Sequence, residues 1–342
     1  MQAIRSARFV LLGALILLAA IPSAQKARAQ EPPRLRDVDR IRVAEVLRLA
    51  EAVQDMIWPG WSKVPFPVLL VTPDTEFLLN HPNPPEDFRL VGEDSQLGGK
   101  IYARKRTQRT DLLATFWIDG HPTTVVGQAE NTEAKASTEW IVAVMHEHFH
   151  QMQYTQPDYQ QKVSGLGLTR EDNTGMWMLN YHFPYAKEEV QRKFAAMCRA
   201  LSEAVAAPDG KLFRERLAAY RRAQSDLTKA LGEDDKRYME FQLWQEGLAR
   251  YTQLRVAEVA AQEYEPSKEF RDLPDYKPFE EVARQLRRQT LEELTKLKLA
   301  EDKRVLFYPV GASLALMLDR AAPDWRARYF AAKFDVDGLL PK

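Results

Sequence analysis

A single cysteine, Cys198, stands among 342 residues. No internal disulfide can form, so stability must come from a core or from a bound metal. Excess charge is missing too: 48 lysines and arginines meet 48 aspartates and glutamates. That balance leaves no basic footprint for nucleic acid. Beyond Ile21 no apolar run could span a bilayer, and internal repeats and low-complexity segments are absent. What remains is ordinary globular composition, 45% hydrophobic and 28% charged, in a chain long enough for one large domain or two smaller ones. Cys198 falls in the helical run Phe194–Val205, where it reads as an inert small hydrophobe.

The first 29 residues read as a signal peptide. Arg5 and Arg8 supply the positive start, and Phe9–Ile21 is the apolar run. Pro22-Ser23-Ala24 and Ala27-Arg28-Ala29 are small-residue cleavage candidates. Cleavage after Ala29 removes Arg5, Arg8, Lys26 and Arg28 and no acid, so the mature chain would be net acidic. The expectation is an exported protein, periplasmic or secreted, without a stable membrane span. An uncleaved N-terminal membrane anchor is the alternative.

Histidine is scarce as well, six in all, yet three of them fall within five residues. Trp140–Tyr154 reads WIVAVMHEHFHQMQY and contains H-E-x-x-H as His146, Glu147 and His150. On a helix, positions i and i+4 share a face about 6 Å apart along the axis. Two imidazoles could then meet one zinc ion, with Glu147 beside it to take a proton from a water that the metal acidifies. On a strand, His146, His148 and His150 would instead line one face as a three-histidine site. Helix formers, an uninterrupted length and the acid Glu139 near the start favour the helix, with Ser137 or Thr138 as N-cap. Trp140–Met145 is apolar all round, which predicts burial. His148 points off the metal face and is expected to be structural.

The rest of the chain divides in two. Asp37–Ile57 carries apolar residues at helical spacing and stops at Trp58-Pro59-Gly60. Phe66–Thr72, Lys100–Arg106, Leu112–Ile118 and Thr123–Val126 read as strands. Asp119-Gly120-His121-Pro122 reads as a hairpin turn, and Asn80–Gly99 as a loop. After Tyr154 the signals are helical: Lys187–Ala206, Lys211–Leu231, Glu233–Ala261, Phe279–Leu299 and Val305–Arg320, with Gln156–Tyr185 irregular. Strands first and helices after predict an α+β fold. Its expected parts are residues 30–155, a small mostly antiparallel sheet with the histidine helix, and residues 156–342, a helical lower subdomain.

Two histidines do not complete a catalytic zinc site, which usually has three protein ligands and an open position. The metzincin continuation fails, because Gln153 and Gln156 stand where its glycine and third histidine belong. Glu246 is the candidate third ligand, in Trp244-Gln245-Glu246-Gly247-Leu248-Ala249-Arg250-Tyr251. It neighbours an apolar stripe of Phe241, Trp244, Leu248 and Tyr251. Gly247 costs about 1 kcal/mol against Ala inside a helix, which suggests a close backbone approach, expected here toward the histidine helix.

H-E-x-x-H followed by W-x-E-G-x-A-x-Y resembles the gluzincin zinc metallopeptidases. The resemblance covers the core motifs and the order of elements. It implies a zincin-like fold, His146, His150 and Glu246 as Zn2+ ligands, Glu147 as general base, and a peptide or protein substrate. It also implies an oxyanion donor downstream, for which Tyr308 in Phe307-Tyr308-Pro309-Val310-Gly311 is the first candidate and Tyr251, His182 and Arg250 are rivals. Two departures stand out: the long separation of His150 from Glu246, and Arg250 where some members carry an acid that orients a ligand histidine. The expected function is an exported zinc-dependent peptidase. The alternative is a catalytically silent zincin-like binding protein of the cell envelope.

Overall fold

Helix α1 (Asp37–Ile57) buries Val43, Val46, Leu49, Ala50, Val53 and Ile57, an i, i+3, i+4, i+7 stripe, and breaks where Gly60 takes φ +83°. It is the first element of a computed structural model that describes residues 32–170, 172 and 174–341. The signal peptide expected over residues 1–29 lies outside the described residues. Pro33–Lys342 form one compact unit.

Six strands follow: β1 (Val68–Val71), β2 (Thr75–Leu79), β3 (Arg89–Asp94), β4 (Gly99–Lys105), β5 (Leu113–Ile118) and β6 (His121–Gly127). They make one mixed sheet of order β3-β4-β2-β1-β6-β5. Only β1 and β6 pair in parallel, with Val68 opposite Thr124, and the other neighbours are antiparallel. β1 is buried on both faces, which its unbroken Val-Leu-Leu-Val run reflects. β5 is an edge strand, and Phe116 and Trp117 on it are exposed.

Several sequence expectations need correction here. β2 was not anticipated, and Asn80–Gly99 is not all loop, because it holds β3. β3 is mostly exposed and its register slips between Leu90 and Gly92, so its apolar alternation is weak. The hairpin turn is only Asp119 (φ +41°) and Gly120 (φ +79°), both left-handed as the hairpin twist requires. His121 and Pro122 belong to β6, and the His121 ring packs edge-on against His81.

Helix α2 (Ser137–Tyr154) carries the histidine motif and is buried along almost its whole length. Its N-cap position is Ala136, so neither Ser137 nor Thr138 is the N-cap. Asp275 acts from outside the helix instead. Its carboxylate accepts from the Ser137 N–H (3.0 Å) and from the Ser137 hydroxyl (2.7 Å), and Thr138 donates to the Lys277 carbonyl (2.7 Å).

The remainder is helical: α3 (Tyr159–Gly165), α4 (Trp177–Asn180), α5 (Glu188–Ala206), α6 (Lys211–Thr228), α7 (Glu233–Gln242), α8 (Leu248–Glu263), α9 (Lys268–Arg271), α10 (Phe279–Lys296), α11 (Leu299–Asp302), α12 (Phe307–Ala321) and α13 (Trp325–Tyr329). The protein is thus α+β, a six-stranded mixed sheet followed by a helical C-terminal half. The long helix expected over 233–261 is α7 and α8 joined by a π-helical turn, Leu243–Gly247. α2 packs between the β5–β6 side of the sheet and α8, with α1 alongside. No helix among the described residues is long and apolar enough to cross a membrane.

Candidate metal centre

The α-helical pitch of α2 puts His146 and His150 one above the other, with ring centroids 4.9 Å apart. One ligand atom each from His146, Glu147 and His150 lie within 4.8 Å of one another, and all three side chains are buried. Such a group could hold a metal ion. His148 faces the other way, stacked on Phe66 (3.7 Å between centroids) and beside Trp61, and bonded to Gln151 (2.7 Å) and Gln54 (3.1 Å). It is a structural core histidine.

Glu246 arrives from the π-helical turn. Its Oε2 lies 3.5 Å from His150 Nε2, and its side chain is 17% exposed, so it does not sit on a solvated face. It is not part of the mutual 4.8 Å group and approaches from the His150 side. Two ligands of a tetrahedral zinc with bonds near 2.0–2.1 Å lie about 3.3 Å apart, so the gap suits a shared cation. A π turn inserts an extra residue into a helix and recurs at functional sites, because it re-aims the side chains around it.

The close backbone approach expected at Gly247 exists, but the neighbour is α12, not α2. A Cβ built on Gly247 would stand 2.5 Å from the Cα of Gly311, and one on Gly311 would stand 2.5 Å from the Cα of Gly247. This glycine-on-glycine crossing sets Tyr308, one turn before Gly311, beside Glu246, one residue before Gly247. The Tyr308 ring stacks on His146 (6.2 Å, 12° between planes), and its hydroxyl accepts from Arg304 Nη1 at 3.2 Å.

Charge in the site follows from burial and mutual contact. Burial lowers His146 to about 3, helped by the neighbouring His150, so His146 is a neutral imidazole. Burial pushes the Glu147 carboxyl up to about 7, against the pull of His150 and of the Thr115 hydroxyl. His150 is raised despite its burial, because Glu246 bonds and attracts the protonated ring. Glu246 is lowered by the same contact, which overcomes its own burial. Burial and Glu246 together keep the Tyr308 phenol protonated, so it is able to donate.

Sequence reasoning missed the groups that hold these side chains. The Thr115 hydroxyl, on β5, lies 2.9 Å from both the main-chain oxygen and Oε2 of Glu147 and ties the edge strand to that carboxylate. Gln153 Oε1 lies 2.7 Å from His150 Nδ1. The same amide donates through Nε2 to the Trp244 and Gln245 carbonyls and to the Tyr329 hydroxyl, which fixes its oxygen toward the ring. His150 Nδ1 is thus engaged by the Gln153 and Gln245 amides, and Nε2 is the nitrogen that faces Glu246 and the metal position. Gln245 braces the pair at 3.0 Å from Gln153 Oε1 and accepts from the Tyr159 hydroxyl. A glutamine three residues after His150, on the same helix, was the legible signal for this role.

The rivals of Tyr308 sit elsewhere. Tyr251 is tied to Asp319 and Arg326, His182 is exposed, and Arg250 reaches Thr290, Gln253 and Glu293 at 3.4 Å. Searches against family models, curated proteins and solved structures find no match to this chain.

Proposed function

We propose that this chain is an exported zinc-dependent hydrolase acting on peptide bonds, of the gluzincin type. The observation that carries the reading is the convergence of three elements distant in sequence. α2 brings His146, Glu147 and His150, the π turn brings Glu246, and the first turn of α12 brings Tyr308. The donor set suits zinc: two imidazoles, one kept neutral by burial and one engaged at Nδ1 by Gln153, and a carboxylate held in its ionised form. On this reading His146, His150 and Glu246 hold the metal.

A bound zinc would supply Lewis acidity, lowering the pKa of a water toward 7 and polarising a carbonyl. The residues of the chain do the rest. Glu147, with a carboxyl near 7 and one oxygen held by Thr115, takes the proton of the attacking water and later passes it to the leaving amine. Tyr308, a protonated phenol beside His146, donates to the oxyanion that forms. Edge strand β5, joined to the base through Thr115, borders the site.

Turnover of a mixed peptide library by the zinc-loaded mature protein tests the proposal. Glu147→Gln should abolish it while zinc still binds. Turnover that survives this substitution refutes the mechanism.

A further inference from the structure

Arg304 is a feature beside the site that the steps above leave unused. It sits half-buried in a short 3-10 turn, Lys303–Leu306, that leads into α12. Its Nη1 donates to the Tyr308 hydroxyl at 3.2 Å, and its guanidinium lies 5.8 Å from the centre of that ring. Glu246 and Tyr238 are close enough for their fields to act on it. Four other arginines in and around the core each have a carboxylate: Arg42 has Asp275, Arg104 has Glu76, Arg250 has Glu293 and Arg326 has Asp319. Among the described residues none lies within 4.0 Å of Arg304.

A half-buried cation without a counter-ion gives up hydration and gains little in return. A guanidinium is also a fork made for two carboxylate oxygens, and Tyr308 occupies only one of its five N–H groups. The next residue, Val305, is 51% exposed, so the turn that carries Arg304 lies at the surface. Lys303, just before, takes φ +49°, a conformation rare for a side-chain-bearing residue, which turns the chain as it enters the segment.

We infer that Arg304 is a carboxylate-recognition residue, seating a carboxylate of the peptide substrate beside the metal position next to Tyr308. The inference takes its geometry from the hydrolase reading and narrows the substrate class to peptides carrying a carboxylate near the bond attacked. A free C-terminus and an acidic side chain would both supply that group.

Binding separates these sources, and also separates this inference from the hydrolase reading. Zinc-loaded full chain carrying Glu147→Gln is titrated calorimetrically with three probes: N-acetyl-Ala-Phe-Leu as free acid, the same peptide as C-terminal amide, and N-acetyl-Ala-Phe-Asp amide. A charge-assisted fork should favour a carboxylate probe over the Leu amide by roughly tenfold to a hundredfold. Adding Arg304→Met should erase the preference, and Arg304→Lys should restore part of it. Preference for the free acid alone assigns a terminal carboxylate, and preference for the Asp amide assigns a side chain. Equal binding of all three probes, binding of none, or a preference that survives Arg304→Met overturns the inference. Acid-selective binding with no turnover by the unsubstituted protein refutes only the hydrolase, and turnover without acid preference refutes only Arg304.

Discussion

Alanine at Gly247 or Gly311 should damage metal binding far more than it damages the fold. Gly247 has ordinary helical angles (φ −63°, ψ −41°), so its backbone accepts a side chain. Space does not. The new Cβ would stand 2.5 Å from the Gly311 Cα and 3.0 Å from the Phe307 carbonyl oxygen. Carbon atoms in contact prefer about 3.5–4.0 Å, so α12 and the π turn must part by about 1 Å. Overpacking of this kind costs about 1–3 kcal/mol. Alanine in place of helical glycine returns about 1 kcal/mol. The net loss is thus about 0–2 kcal/mol, a Tm decrease of a few degrees for a chain of this size.

The proposed metal site has no such tolerance. Zinc bond lengths are held to about 0.2 Å, and Glu246 rides on the segment that must move. Zinc affinity should therefore fall about tenfold to a hundredfold, the range seen when the support of a ligand is disturbed. Gly165→Ala is the control, since a Cβ there meets nothing within 4 Å. Affinity is read by competition with a chromophoric chelator and stability by thermal melting of the metal-free protein. Because both added Cβ atoms enter one crossing, the double variant should be non-additive. If Gly247→Ala and Gly311→Ala both keep full zinc affinity, the crossing does not position Glu246 and the reasoning fails.

Four further outcomes follow from the same geometry. Glu246→Gln should weaken zinc by at least tenfold, measured by the same competition, and unchanged affinity would remove it from the ligand set. Gln153→Leu frees the His150 ring and should also cost about tenfold to a hundredfold in affinity, whereas Gln156→Leu, whose amide only caps the Met152 carbonyl, should cost nothing. Zinc must displace the proton that Glu246 stabilises on His150, so apparent affinity should rise by up to about tenfold per pH unit above 6.5, and a flat profile refutes the pair. In the metal-free protein the His150 contribution is present below 6.5 and lost as pH rises through its raised value. The Glu246 contribution is present above 4.5 and lost on acidification through its lowered value. Thermal melts should therefore show the loss caused by Glu246→Gln at its largest between pH 4.5 and 6.5.

Elements whose burial imposed a period on the sequence were legible. α1 carries its stripe over 21 residues and was found with its bounds, and β1 and β5 were found to within a residue or two. β3 was lost because it is mostly exposed and irregular, so nothing forced apolar alternation on it. The N-terminus of α2 was misjudged because its capping carboxylate, Asp275, is 138 residues away. The π turn was hidden for a different reason: the buried residues in and around it, Phe241, Trp244, Leu248 and Tyr251, keep a spacing that a continuous α-helix also satisfies. Of the candidate site, the motif pointed to His146, Glu147 and His150, which the fold groups, and the W-x-E-G context pointed to Glu246, which the fold sets against His150. The close approach at Gly247 was inferred correctly but assigned to the wrong partner, since a glycine reports that something is near and not what it is. Gln153 could have been read from its place one turn after His150, but Thr115 and Arg304 carry no signature in isolation, because a hydroxyl and an arginine serve anywhere on a chain. Only the fold brings them to the site.

The groups so assembled have a charge logic that favours one kind of ligand. Glu147 and Glu246 together would balance a divalent cation, and the imidazoles add nothing when neutral. An acid orienting His150, the arrangement some gluzincins use, would add a further negative charge to a buried centre. Gln153 and Gln245 fix the ring without it. Arg304 then remains as a positive charge that is bonded to Tyr308 and has no carboxylate within 4.0 Å among the described residues. A neutral peptide segment would leave that charge in place, and a bound carboxylate would cancel it. On the proposed reading the amide pair and the guanidinium are two parts of one arrangement: His150 is supported without a further negative charge, and an acidic substrate would bring its own.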